Sequence, residues 1–137
     1  MRFSRTTEHA IRVMVFLANN KDRRFSVNQL HQRLNIPYKY LGRLMGKLAT
    51  AGFVEAVLGK QGGYQIKGKL TEIFLYQIIE VVEGLDDYDR CILGFSECND
   101  NNPCSMHKFW IKHRQAIKQM LFSTSLADLT EDPNIRF

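Results

Sequence analysis

At 137 residues, 45% hydrophobic and 24% charged with only 3 prolines, the chain has the composition of one folded domain plus a small added element, and this excludes disordered and collagen-like classes. The longest apolar runs, Met14 to Ala18 and Ile73 to Tyr76, are too short to cross a bilayer, and Glu8, His9 and Arg12 interrupt any secretory core, so a cytoplasmic protein is expected. In a reducing compartment three cysteines point to ligands, sensors or core residues before standing disulfides.

The net charge of +5 is unevenly spread. Residues 1–70 carry 13 basic and 3 acidic side chains, a net of +10, and residues 71–137 carry 6 and 11, a net of −5. The front half has the electrostatics of a polyanion binder.

In chain order, Ile11, Met14, Val15 and Ala18 recur at helical spacing and predict a first helix over about Arg5 to Asn19. Ser26 followed by Gln29 has the spacing of a capping box and opens a short helix to about Arg33. Asn35 and Ile36 break the pattern, and Pro37 suits the first position of a third helix reaching about Ala51. Two short helices joined by a tight turn outline a helix-turn-helix. Two extended segments, Phe53 to Leu58 and Tyr64 to Lys67, flank Gly59 to Gly63 and predict a hairpin wing with a mobile, basic tip. Thr71 is expected to cap a fourth helix to about Glu83. Gly84 to Ser105 has no helical period and holds all three cysteines. A long helix from about Met106 to Phe122 and a short turn from Ser125 to Leu129 complete the chain.

On the third helix, Leu41, Leu44, Met45 and Leu48 form one face, with Lys39, Arg43 and Lys47 opposite. A helix packed on one side and cationic on the other fits a DNA major groove, where Arg and Lys pair with guanine edges and Tyr38 or Tyr40 reaches a phosphate or a thymine methyl. In the wing, glycine allows close backbone approach to phosphate, with Lys60 as counter-charge beside Gln61. On the last helix, Met106, Phe109, Trp110, His113, Ile117, Met120 and Leu121 recur at intervals of three or four, a stripe that predicts pairing with a second copy and hence a pseudo-palindromic operator.

Cys91 and Cys98 enclose six residues, Cys98 and Cys104 enclose five, and His107 follows Cys104 at C-x-x-H spacing. Thiolate and imidazole donors suit zinc or an iron-sulfur cluster, and Asn99 to Pro103 reads as a flexible segment able to wrap one.

Taken together, Thr6-Thr-Glu-His-Ala-Ile-Arg12, Tyr38-Lys-Tyr-Leu-Gly-Arg-Leu44, Gly59-Lys-Gln-Gly-Gly63, the three-cysteine loop and Thr124-Ser-Leu-Ala-Asp-Leu129 resemble the Rrf-two (Rrf2) family, in particular its IscR- and NsrR-like regulators. The resemblance implies a homodimeric winged-helix repressor or activator whose cluster controls operator binding, with Cys91, Cys98 and Cys104 as cluster ligands. His107 matches the fourth-ligand histidine of the IscR pattern. Glu8 stands where NsrR-like sensors carry an aspartate that reaches across the dimer, and is the alternative. Two positions depart from the family pattern: Leu58 replaces the arginine that usually opens the wing, and the first cysteine gap is six residues where five is usual.

The expected fold is therefore mainly α: a winged helix-turn-helix over residues 1–83 with a two-stranded wing, a cluster-binding loop over 84–105, and a dimerisation helix and tail over 106–137. The expected function is double-stranded DNA binding controlled by an iron-sulfur cluster, 2Fe-2S favoured over 4Fe-4S, responding to redox state, nitric oxide or cluster supply. The competing reading is a zinc-stabilised or thiol-redox DNA-binding regulator without such a cluster. An enzyme with a cysteine nucleophile and His107 or His113 as base is least supported, because no glycine-rich phosphate loop, nucleophile elbow or metal-hydrolase helix is present.

Overall fold

A computed structural model describes residues 2–137. Helix α1, Arg5–Asn19, lies at its centre and starts at Ser4, whose Oγ accepts the Thr7 N–H at 3.2 Å. Ala10, Val13, Met14 and Leu17 are fully buried. Val15, Phe16 and Ala18 are buried too, so the C-terminal half of α1 is enclosed on nearly every side rather than along one stripe.

Helices α2, Val27–Leu34, and α3, Tyr38–Thr50, form the expected pair. The capping box is complete: Gln29 N–H donates to Ser26 Oγ at 3.1 Å and Ser26 N–H to Gln29 Oε1 at 2.8 Å. Asn35 ends α2 with a left-handed φ of 54°, which asparagine tolerates better than most residues. Buried Leu34 and Ile36 hold the turn against Leu30, Leu41 and Met45 of the core. Pro37 precedes α3 as its N-cap instead of occupying its first position, because its ψ of 131° is extended.

Strands β1, Val54–Val57, and β2, Gly63–Ile66, pair antiparallel with Val54 opposite Ile66 and Val57 opposite Gly63. Phe25, ahead of α2, adds a backbone bridge to Tyr64, with N–H···O distances of 2.9 and 2.8 Å in the two directions. At the tip the Gly62 N–H donates to Gly59 O at 3.0 Å, closing a turn around Lys60 and Gln61. Gly63 has φ +143°, and a Cβ there would lie 2.6 Å from the Phe25 carbonyl carbon. Gly63→Ala should therefore destabilise the chain by about 2 kcal/mol, read as a lower urea midpoint at unchanged slope. An unchanged midpoint would mean that the bridge to Phe25 contributes nothing.

The fourth helix departs from expectation. Thr71 lies in a 3-10 turn, Leu70–Glu72, and α4 begins later, spanning Leu75–Val82. The intervening Ile73 and Phe74 are extended because they pair with the C-terminal segment: Leu126 N–H donates to Ile73 O at 2.7 Å and Leu75 N–H to Thr124 O at 3.0 Å. A long-range backbone pairing thus overrides a good local cap. The Gln77 side chain caps α4 instead, accepting Phe74 N–H at 2.8 Å.

Helix α5, His107–Ser123, leads into α6, Leu126–Leu129, which is capped by Ser125. Leu126 enters the main core with α1, so the end of the chain returns to the winged unit. A smaller cluster of Leu75, Ile79 and Leu121, flanked by Ile117 and Tyr88, joins α4 to α5. Leu121, expected on the pairing stripe, is fully buried within the chain. No helix among the described residues is long and apolar enough to cross a membrane.

Candidate functional site

On α3, Leu41, Leu44, Met45 and Leu48 are buried, while Tyr38, Lys39, Arg43 and Lys47 are exposed. Gly42 and Gly46 share this outer side, and nothing lies within 4 Å of where their Cβ atoms would be. Packing inside the chain therefore does not demand glycine, although each costs helix stability of roughly 1 kcal/mol relative to alanine. Their smallness leaves room for another molecule against the backbone beside Lys39 and Arg43.

Two of the side chains expected at the DNA face also have partners within the chain. The Lys47 ammonium donates to Val82 O at 3.4 Å, reaching the carbonyl end of α4. The Tyr40 ring packs edge-on to His9 at 5.3 Å and its hydroxyl is buried without a hydrogen-bond partner. Tyr40, Arg43 and Lys47 nevertheless line a recess of about 270 Å³ with Thr6, Leu44 and Val82, which brings the start of α1 beside the cationic helix. Charge alone did not reveal Thr6, which reaches this recess only through packing. Lys60 and Gln61 project from the wing turn, next to Leu58, which is 95% exposed.

Cysteines 13 positions apart meet in the loop: Cys91 Sγ and Cys104 Sγ are 3.4 Å apart. Cys98 Sγ lies 3.5 Å from His107 Nδ1. Cys91 and His107 are buried, and Cys98 and Cys104 are partly so. Burial pushes the Cys91 thiol up, but hydrogen bonds from the Leu93 backbone, Cys104, the Phe95 backbone and Cys98 outweigh it and leave the thiol lowered. Cys98 is raised, by burial first and then by Cys91, against the opposing charge of Arg114. Cys91 is accordingly the more readily ionised of these two thiols.

The run Asn99 to Asn102 forms a turn. Asn99 Oδ1 accepts the N–H groups of Asn101 at 3.0 Å and Asn102 at 2.9 Å, so the polar side chain closes the backbone on itself. Upstream, the loop is tied to α5 through Asp89, whose carbonyl accepts from Arg114 at 3.0 Å and whose carboxylate accepts from Lys118 at 2.7 Å. Glu83, which ends α4, accepts hydrogen bonds from Ser4 and Thr7 of the α1 start. Neither Asp89 nor Glu83 carries a sequence signal for these roles.

Glu8 is placed differently from His107. Its carboxylate accepts from Arg2 at 2.9 Å, and it lines a separate pocket with Phe3, Tyr88, Ile117 and Met120. Within one chain, His107 is the fourth donor brought to the cysteines.

Among the described residues no group of three or more His, Cys, Asp or Glu side chains already stands as a metal-binding set; the donors form two pairs. Their chemistry and spacing nonetheless suit a tetrahedral metal. Two thiolates on one zinc-like ion lie about 3.8 Å apart and a thiolate and an imidazole nitrogen about 3.5 Å apart, from bond lengths of about 2.3 and 2.05 Å. The observed separations are 3.4 and 3.5 Å.

A helix-turn-helix with a cationic second helix, followed by a glycine-closed wing, defines a winged-helix DNA-binding regulator. Residues 3–132 match the Rrf2 family, described as an iron-dependent transcriptional regulator, and the chain belongs to that family. It is 30% identical to a putative HTH-type transcriptional regulator of Aquifex aeolicus, over 94% of this chain and 91% of the relative. It is 26% identical to the HTH-type transcriptional regulator IscR of Photobacterium profundum, over 99% of this chain and 79% of that one. The structure of CymR, the global cysteine regulator of B. subtilis, superposes with a TM-score of 0.79 at 27% identity, covering 95% of this chain and 96% of CymR. The chain is a transcriptional regulator and not an enzyme.

Proposed function

We propose that the chain acts as a homodimer whose binding to a pseudo-palindromic operator is set by an iron-sulfur cluster on Cys91, Cys98, Cys104 and His107. The observation that carries this reading is the pairing of those donors, Cys91 with Cys104 and Cys98 with His107, in a loop tied to both α1 and α5. Glu83 ties its start to α1, and Arg114 and Lys118 tie it to α5. When bound, such a cluster supplies a redox-active, ligand-exchangeable centre whose three thiolates are firmer than its imidazole. The chain's own residues link that loop to the DNA face. Lys47 of α3 is bonded to Val82, one residue before Glu83, so a shift of the loop start is felt by the recognition helix. Differential stabilisation of two loop arrangements is what changes DNA affinity.

Protein purified without oxygen, or reconstituted with iron and sulfide, should be brown with visible absorption. A colourless protein holding one zinc would replace the cluster with a structural metal. The 3.4 Å approach of Cys91 and Cys104 favours a second reading, a dithiol that oxidises reversibly to a disulfide. In that case peroxide-treated apo protein would lose two titratable thiols and change operator affinity with no metal present.

At the DNA face, Lys39 and Arg43 read the major groove while Lys60 and Gln61 meet the backbone, with Tyr38, Tyr40 and Lys47 on the flanks of α3. Arg43→Ala should weaken specific binding by about 1–3 kcal/mol and relax preference at one base pair, whereas Lys60→Ala should lower affinity evenly and flatten its salt dependence. Both are read by titrating labelled operator at several salt concentrations. Unchanged binding by a folded Lys39→Ala, Arg43→Ala double variant would remove α3 from the interface.

A further inference from the structure

His107 opens α5, with its N–H donating to Cys104 O at 3.0 Å, so its ring is placed by the same segment that carries the third cysteine. The two ring nitrogens face different chemistry. Nδ1 is directed at Cys98 Sγ, at 3.5 Å, and Nε2 lies 2.9 Å from Asp100 Oδ1. A carboxylate accepts only, so Nε2 must carry the proton of that hydrogen bond. In the neutral ring this leaves the Nδ1 lone pair directed into the cysteine centre. Asp100 is the second residue of the turn that Asn99 closes over Asn101 and Asn102. The turn places Asp100 within reach of His107, and the hydrogen bond to its carboxylate sets the tautomer that selects the donor atom.

We infer that Asp100 is a positioning residue that makes His107 a metal ligand through Nδ1. The inference rests on the metal-centre reading above but does not require the metal to be an iron-sulfur cluster. A hydrogen-bonded carboxylate behind a ligating imidazole orients the ring and raises its basicity, and losing such a partner typically lowers metal affinity about 10–100-fold. The Asp100 side chain is 96% exposed, so its replacement removes this contact without opening the core.

The test uses zinc alone on the reduced 137-residue chain, in competition with a chromophoric chelator, together with nitrogen-15 histidine spectra of the zinc-loaded protein. His107 should be metal-bound at Nδ1 and protonated at Nε2. Asp100→Ala should bind zinc about 10–100-fold more weakly, and Asp100→Asn, whose amide oxygen still accepts from Nε2, should fall between it and the wild type. Ligation through Nε2, or zinc affinity of Asp100→Ala within twofold of the wild type, would overturn the inference. A parallel reconstitution with iron and sulfide separates the two readings. A colourless wild type that still binds zinc through Nδ1 with the Asp100 dependence keeps the positioning role and discards the cluster. A wild type that takes up neither metal discards both.

Discussion

Phe109→Asp combined with Met120→Asp should convert the protein to a monomer and weaken its binding to a complete two-half-site operator by at least about 100-fold, while a single half-site is bound as before. The expectation comes from α5, where only His107 and Leu121 of 17 residues are buried. Its outer face carries Met106, Phe109, His113, Ala116 and Met120 at alternating intervals of three and four, the spacing of a seam between paired helices. Phe109 is 54% and Met120 45% exposed, more apolar surface than an isolated helix face of this length ordinarily leaves in water. Phe122, by contrast, is stacked on Tyr76 with ring centroids 4.2 Å apart, and is tied to the fold on one side. Two carboxylates on the seam would be brought against those of the second copy across the symmetry axis and repel. Sedimentation equilibrium and gel shifts with an operator selected from random DNA measure both effects. A wild type that sediments as a monomer at micromolar concentration would end the dimer reading.

The second large effect concerns the cysteine centre. Replacing Cys91, Cys98 and Cys104 together with alanine should abolish the visible absorption of iron- and sulfide-treated protein and bring operator affinity to that of the metal-free wild type. The triple variant removes both thiols of the 3.4 Å pair and the partner of His107 Nδ1, so no two-sulfur site remains. Single changes discriminate the fourth ligand. His107→Ala should lose or shift the absorption while Glu8→Ala keeps it, because Glu8 is engaged by Arg2 away from the cysteines of its own chain. Colour that survives His107→Ala and disappears in Glu8→Ala would transfer the role to the carboxylate across the dimer. Triple-variant protein that retains the spectrum would rule out cysteine ligation altogether.

Much of this architecture is legible in the amino-acid order because it is satisfied locally. The Ser26–Gln29 capping box, the break at Asn35 and the glycine-bounded hairpin each need partners only a few residues away. The same holds for the charge division between the two halves and for the C-x-x-H spacing that puts His107 one turn from Cys104. What tertiary structure decided has its partners far along the chain. Thr71 is a sound cap, but Ile73 to Leu75 pair with Thr124 to Leu126, and those backbone hydrogen bonds delay α4 to Leu75. Lys47 and Tyr40 lie on the cationic side of a helical wheel, yet the free carbonyl of Val82 captures one and the His9 ring covers the other. Leu121 shares the helical spacing of the outer stripe but points into the chain because Leu75 and Ile79 offer it a place to bury. The asparagine run shows the same division at the site. Its composition predicts a loop, but only the folded turn brings Asp100 to His107 Nε2, since a carboxylate seven positions from an imidazole has no fixed distance to it until the backbone between them is closed.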